Sequence, residues 1–201
     1  MQVPCWFHRQ HRRLRHQIDH TGGMMRPKPA FLFGLWLAAT LAGSAQAAVI
    51  KSASDGFVSE SSAVIGVRPA RVWRALTDWS KWWDKAHSYS GKAGAIQLDP
   101  RGGGLLLERW DKNSVQHAVV LTAVAPSSLR LSGGFGPLQS LPVNAILEFT
   151  LRGEGTGTRL TMTYRVAGTA ASNLDTLAVP VDSVMNEGFG RLLNYAATGK
   201  P

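Results

Sequence analysis

The stretch "NAILEFTLRGEGTGTRLTMTYRVAG", followed shortly by one long apolar-striped segment, constrains the fold more than any other feature of the chain. Leu160, Met162, Tyr164 and Val166 alternate with Arg159, Thr161, Thr163 and Arg165, the period-two pattern of a strand with one buried face. Glu154-Gly155-Thr156-Gly157 supplies the turn that folds this strand back on its predecessor. From Pro180 to Thr198 the period changes to that of a helix. Val181, Val184, Met185, Phe189, Leu192 and Leu193 form one stripe, and Gly199 stands where the helix should end. An antiparallel sheet with one apolar face needs a cover, and this helix is the available one.

The preceding residues fit the same plan. Phe57 to Val67 reads as a strand, and Pro69 suits the first turn of a helix carrying Val72, Ala75 and Leu76. Asp78 is placed to cap a second short helix through "WSKWWDKA". From Lys92 onward "GAIQLDP", "LLLERW", "SVQHAVVLTAV" and "LRLSGGF" are strands broken by glycine- and proline-rich turns. The expected class is α+β: a strand, two short helices, about six antiparallel strands, then a long amphipathic helix. A curved sheet wrapped on one helix leaves space between them. Gly188, on the helix's inner face, either clears room for a ligand there or allows close helix–sheet packing.

The N-terminal quarter reads differently. Met25-Arg26-Pro27-Lys28 is basic, Ala30 to Ala42 is an apolar run of thirteen residues, and Ala45-Gln46-Ala47 is small-x-small. That order describes a secretory signal peptide over residues 25–47, cleaved after Ala47. Thirteen apolar residues fall short of the roughly 20 that a spanning helix needs, so no stable membrane insertion is expected after cleavage. "LAGS" at Leu41 to Ser44 puts serine where a lipid-bearing cysteine would stand. Residues 1–24 read as an over-extended start, and residues 48–201 as one domain, periplasmic or secreted.

The formal net charge of +9 overstates how basic that domain is. Residues 1–47 hold six Lys/Arg against Asp19 alone, leaving sixteen Lys/Arg against twelve Asp/Glu in the rest. The remaining cations are scattered, which argues against a nucleic-acid partner. Cys5, the one cysteine, lies in the leader, so the domain must be stable without disulfides. No ligand spacing predicts a metal, no Gly-x-Ser-x-Gly elbow is present, and "RGGG" and "GGFG" do not sit between a strand and a helix. No cofactor is therefore expected.

"RPARVWRALTDWSKWW", "GGGLLLERW" and the paired strands quoted above resemble the START-like (SRPBCC) superfamily, in particular its polyketide cyclase/dehydrase-like and ATPase-activator-like branches. The likeness runs from Phe57 to Gly199. It implies a helix-grip fold with two short helices after the first strand, and a cavity for apolar molecules between sheet and C-terminal helix. Only three residues separate Asp78 from Trp82, fewer than the ATPase-activator branch usually has, so any lid should be shorter or differently angled.

Four of the seven tryptophans, Trp73, Trp79, Trp82 and Trp83, fall within eleven residues. Neighbours on a helix point about 100° apart, so Trp82 and Trp83 should not both enter one pocket, whereas Trp79 and Trp82 share a face. Trp73 is assigned to the core. The expected ligand-binding wall is Trp82, Trp83, Trp110, Phe135, Leu147, Phe149, Met162, Tyr164, Met185 and Phe189, with Tyr164 able to orient a polar group. Alternation along "LLLERW" turns Leu106, Glu108 and Trp110 inward and Arg109 outward. Glu108 in an apolar cavity would hold its proton more tightly and could act as acid or base; the alternative is a salt bridge at a sheet edge. His117 alternates with Val119 and Leu121 and is read as inward, either as a site residue or as a hydrogen-bonded core histidine. These readings predict a binder of a small hydrophobic or amphipathic molecule, whether lipid, polyketide-like or aromatic. The rivals are an enzyme of cyclase, dehydratase or hydrolase type using Glu108 or His117, and a protein-interaction module.

Overall fold

The computed structural model describes residues 46–201. The leader expected over residues 1–47 lies outside them, except for Gln46 and Ala47. Among the described residues, eight antiparallel strands form one sheet: β1 (Gln46–Ala53), β2 (Gly56–Ile65), β3 (Ile96–Leu98), β4 (Leu105–Trp110), β5 (Asn113–Val124), β6 (Ser128–Ser132), β7 (Asn144–Glu154) and β8 (Gly157–Ala167). Their spatial order is β1-β2-β8-β7-β6-β5-β4-β3. Two short helices, α1 (Pro69–Thr77) and α2 (Trp79–Trp82), follow β2, and α3 (Leu174–Thr198) closes the chain. This is the expected helix-grip α+β architecture.

The strongest signals are realised residue for residue. Glu154 pairs with Gly157, leaving Gly155-Thr156 as a two-residue loop in which Gly155 has φ 56°, a region that suits glycine. Leu160, Met162, Tyr164 and Val166 are buried, as are Leu147 and Phe149 opposite them. On α3 the buried face is Leu174, Ala178, Val181, Met185, Gly188, Phe189, Leu192 and Ala196, with Val184 and Leu193 packed at its margins.

Two elements depart from the sequence reading. β1 is an additional edge strand, paired with β2 through Lys51↔Val58 and Ala53↔Gly56 and lying ahead of the first strand expected, at Phe57. Its hydrogen-bonding partner, not its own periodicity, makes it a strand. α3 begins six residues before Pro180, which lies inside the helix. Leu174 and Ala178 are buried in that first section, and Leu174 N–H donates to Ser54 O at 2.9 Å. Tertiary burial there outweighs the roughly 3 kcal/mol that an interior proline costs a helix.

α3 is tied to β2 by polar contacts. Ser59 Oγ donates to Asp182 Oδ1, Ser61 Oγ donates to Asn186 Oδ1, and Asn186 Nδ2 reaches Asp182 Oδ2 at 3.3 Å. Both serines are buried, so each hydroxyl needs a partner. Arg71 caps the far end of α3, donating from Nε to Ala196 O at 2.8 Å and from Nη2 to Ala197 O at 2.9 Å.

Candidate functional site

The segment after α2, residues 83–92, forms a strap between α3 and strands β4 and β5. α2 is a single turn, and Trp83 leaves it with extended backbone (φ −67°, ψ 136°). A 100° divergence of Trp82 and Trp83 requires the helix to continue past Trp82. Because it stops, both rings turn inward: Trp82 is 1% exposed and Trp83 4%. With Trp79 they form a three-ring cluster, centroids 4.4 Å (79–82), 5.7 Å (79–83) and 5.8 Å (82–83) apart. Trp73 packs half-buried against the same core. The Asp78 carboxylate does not cap α2; it accepts from Ser80 Oγ and Tyr195 OH, each at 3.2 Å.

Gly188 exists for Trp83. A Cβ at position 188 would lie 2.7 Å from Trp83 Cζ3, closer than carbon atoms approach. The room cleared on the helix is therefore filled by an indole ring, which decides the question left open by the sequence in favour of packing. The strap is latched to α3 as well. Arg191 Nε donates to Trp82 O at 2.8 Å, Arg191 Nη1 lies 3.3 Å from Asp84 Oδ2, and His87 Nε2 lies 3.1 Å from Glu187 Oε2. Trp83 Nε1 donates within the strap to His87 O at 3.0 Å.

Below the strap sit Glu108 and His117. Glu108 faces inward as alternation requires and is fully buried. It accepts from Ser90 N–H at 2.5 Å, Tyr89 N–H at 3.1 Å and His117 Nε2 at 2.9 Å. Burial alone would raise its pKa, but the donors of Ser90, His117 and Tyr89 outweigh that and hold it below the ordinary carboxylate value. The expected proton-retaining acid is thus corrected: Glu108 is a buried carboxylate anion. It does not stand at a sheet edge, since β3 lies outside β4, and the ionisable side chain in contact with it is His117.

His117 is buried by a different route from the one alternation suggested. The register of β4 and β5 slips between Leu106 and Leu107: Leu106 faces Ala118, Leu107 faces Gln116, and His117 is the extra residue of a bulge. His117 and Ala118 are consequently both buried, while Leu121, expected on the same face as His117, is 50% exposed. Gly133 on the adjoining segment makes room, since a Cβ there would lie 2.1 Å from His117 O. The imidazole stacks on Phe135 (6.1 Å, 13°) and meets Tyr89 on another side (5.8 Å, 51°). Burial pushes its pKa below the ordinary histidine value, and Glu108 opposes this only in part.

The void between these groups is lined by Trp79, Trp83, His87, Ile96, Leu106, His117, Phe135 and Gly136. Its volume is about 10 Å³, room for one water molecule. Of the ten expected wall residues, Trp83 and Phe135 reach it. Trp82, Leu147, Phe149, Met162, Tyr164, Met185 and Phe189 are buried in the core around it. Tyr164 is occupied in pinning backbone: its hydroxyl accepts from Phe135 N–H at 3.1 Å and donates to Gly133 O at 3.0 Å. Burial pushes its pKa well above the usual tyrosine value. Trp110 is half-buried at the β4–β5 turn, where it pairs with Asn113, and does not join the core. Trp79, His87 and Ile96 were not expected in the lining. Trp79's three-residue spacing from Trp82 pointed inward, whereas no local signal marks His87 or Ile96. Among the described residues, no three His, Cys, Asp or Glu side chains gather as a metal site.

No curated protein is similar to the chain. Among solved structures, a protein from Rhodobacter sphaeroides is 16% identical, with 77% of this chain and 100% of that one covered at a TM-score of 0.52. A conserved protein of unknown function from Enterococcus faecalis is 13% identical, with 80% and 81% covered at a TM-score of 0.51. Identities this low show a common fold and nothing finer. Residues 67–195 match the family described as Activator of Hsp90 ATPase homolog 1-like protein. That match takes in both short helices, the strap, strands β3 to β8 and nearly all of α3, and the chain therefore belongs to this family of the START-like (SRPBCC) superfamily.

Proposed function

We propose that the protein is an exported binding protein for a small apolar or amphipathic molecule, held beneath the strap between the sheet and α3. The family's fold is suited to ligand binding or cyclase-like chemistry, and the choice between them rests on the site. The observation that carries the reading is the convergence of three aromatic rings, Trp79, Trp83 and Phe135, with the imidazoles of His87 and His117 on one interior void. Aromatic walls with a few polar groups are how small-molecule sites are built.

The void's size restricts the occupant. Ligand pockets span roughly 300–1,000 Å³, far more than one water, so a ligand has to take the place of a side chain. Trp83 is the side chain to move, because it lies on the strap outside any regular element and its indole N–H bonds only to that strap. A compact planar molecule exchanges with an indole ring; a long lipid would also have to displace Trp82 and Phe135. Of the lipid, polyketide-like and aromatic classes, the aromatic ones fit best. Native protein purified from its host, extracted with organic solvent and analysed by mass spectrometry, is expected to yield such a compound. An empty protein with no change in melting temperature or tryptophan fluorescence across an aromatic library would overturn this reading.

A further inference from the structure

We propose that His117 Nδ1 is a proton acceptor built for a ligand's acidic O–H group, so that the molecule bound beneath the strap is a phenol or enol held as its anion. The inference rests on the binding site proposed above and names the chemistry of its occupant.

Glu108 fixes the tautomer of His117. A carboxylate can only accept hydrogen bonds, so the 2.9 Å contact with His117 Nε2 requires the proton to sit on that nitrogen. His117 is buried and favoured in its neutral form, which leaves Nδ1 bare. Among the described residues no buried side-chain nitrogen or oxygen that is sealed from water lacks a hydrogen-bond partner. Nδ1 has no donor among the described residues and so is not sealed from water, and His117 is one of the residues that line the void. A ligand that fills the void and closes this access must itself donate to Nδ1 or leave a buried acceptor unpartnered.

The local construction serves this orientation. The β5 bulge makes His117 an extra residue beside the buried Ala118, so that both side chains turn to the interior, a use bulges have at functional sites. Phe135 and Tyr89 hold the ring on two sides, and Tyr89 is itself fixed by donating from its hydroxyl to Gln139 Oε1 at 2.8 Å. The other titratable group at the void is His87, which faces Glu187 of α3. Among the described residues no other charged side chain lines it.

The step balances without a co-reactant. The ligand O–H bond breaks, its proton passes to Nδ1, and the electron pair remains on the ligand oxygen. The imidazolium formed is stabilised by the Glu108 carboxylate on Nε2–H, the arrangement that makes a histidine a competent base. The oxyanion then faces Nδ1–H as acceptor.

The test uses two probes of one shape, 4-nitrophenol and 4-nitroanisole, the second lacking the proton. The full chain is titrated with each at a pH below the solution pKa of 4-nitrophenol. Both are expected to bind, and bound 4-nitrophenol should show the absorption of its anion. His117→Phe, which keeps the ring and its stacking, should abolish that absorption and weaken 4-nitrophenol about tenfold or more relative to 4-nitroanisole. Glu108→Gln, a nearly isosteric change, should also lose the anion signal. If both probes bind but 4-nitrophenol stays protonated, or if its affinity survives His117→Phe, the proton-acceptor assignment falls and the binding site stands. If neither probe binds, the binding reading falls first and takes this one with it.

Discussion

Around Leu147, Phe149, Met162 and Met185 the sheet meets α3 through apolar side chains with almost no exposure. Under the strap, a few ångströms beyond Phe149, the same interior is made of indole rings, two imidazoles and a buried carboxylate. Both regions are closely packed, but for different reasons. The apolar region loses only contact area when a group moves. The strap region also strands buried hydrogen-bonding groups, so each piece depends on the others being in place. This is the region where the proposed ligand would compete with a side chain.

Truncation in the apolar region should have the largest effect. Phe149→Ala is expected to cost about 3–5 kcal/mol and lower the melting temperature by roughly 10 °C, followed by circular dichroism. A loss below about 1 kcal/mol would mean that the region is not close-packed. Gly188→Ala comes next. Its Cβ forces Trp83 to shift, an overpacking of about 1–3 kcal/mol, partly offset by alanine's advantage of about 1 kcal/mol in a helix. Adding Trp83→Phe should recover most of the loss, and simple additivity of the two changes would show that the ring and the glycine are uncoupled.

Glu108→Gln should cost about 1–3 kcal/mol near neutral pH by weakening contacts to Ser90, Tyr89 and His117. Its signature is in the pH dependence. The folded state holds Glu108 below its ordinary pKa, so this stabilisation is whole above the ordinary carboxylate value and drains away as pH falls through the lowered one. His117 is likewise lowered, so unfolding gains a proton once pH drops below the ordinary histidine value. Denaturant titrations should therefore lose stability in two stages on acidification, the more acidic one missing in Glu108→Gln. A variant that follows the wild type through both stages would remove Glu108 from this role. The smallest effect is expected from Glu187→Ala, which releases a half-exposed latch on His87. It should change global stability by at most about 1 kcal/mol, yet speed amide exchange in residues 84–90. Unchanged exchange there would mean that the Glu187 contact does not hold the strap, leaving Arg191 and the contacts to Glu108 to do so.

These regions also differ in how far they can be read from residues alone. Leu147, Phe149, Met162 and Met185 declare themselves by period two or period 3.6, because burial on one face repeats along the chain. Glu108 is legible in the same way: its inward direction follows from Leu106 and Arg109. Its charge state does not, because the backbone donors of Tyr89 and Ser90 come from a strap nearly twenty residues earlier. His117 was placed inward by an alternation that the bulge breaks, so the direction was right and its basis was not. Trp110 shows the opposite failure, since its parity was inward but the hairpin turn takes it out of the core.

What the sequence by itself determined is the architecture: the alternating hairpin pair, the amphipathic closing helix, and hence a sheet gripping α3. Those patterns are local, and their period carries the information. The tertiary structure decided where α2 stops, and with it that Trp82 and Trp83 both turn inward. It decided that the space opposite Gly188 belongs to Trp83, and that Glu108 is an anion whose partner His117 sits on a bulge. Each of these depends on contacts between residues distant in the chain, where burial and hydrogen bonding override the rhythm of neighbours.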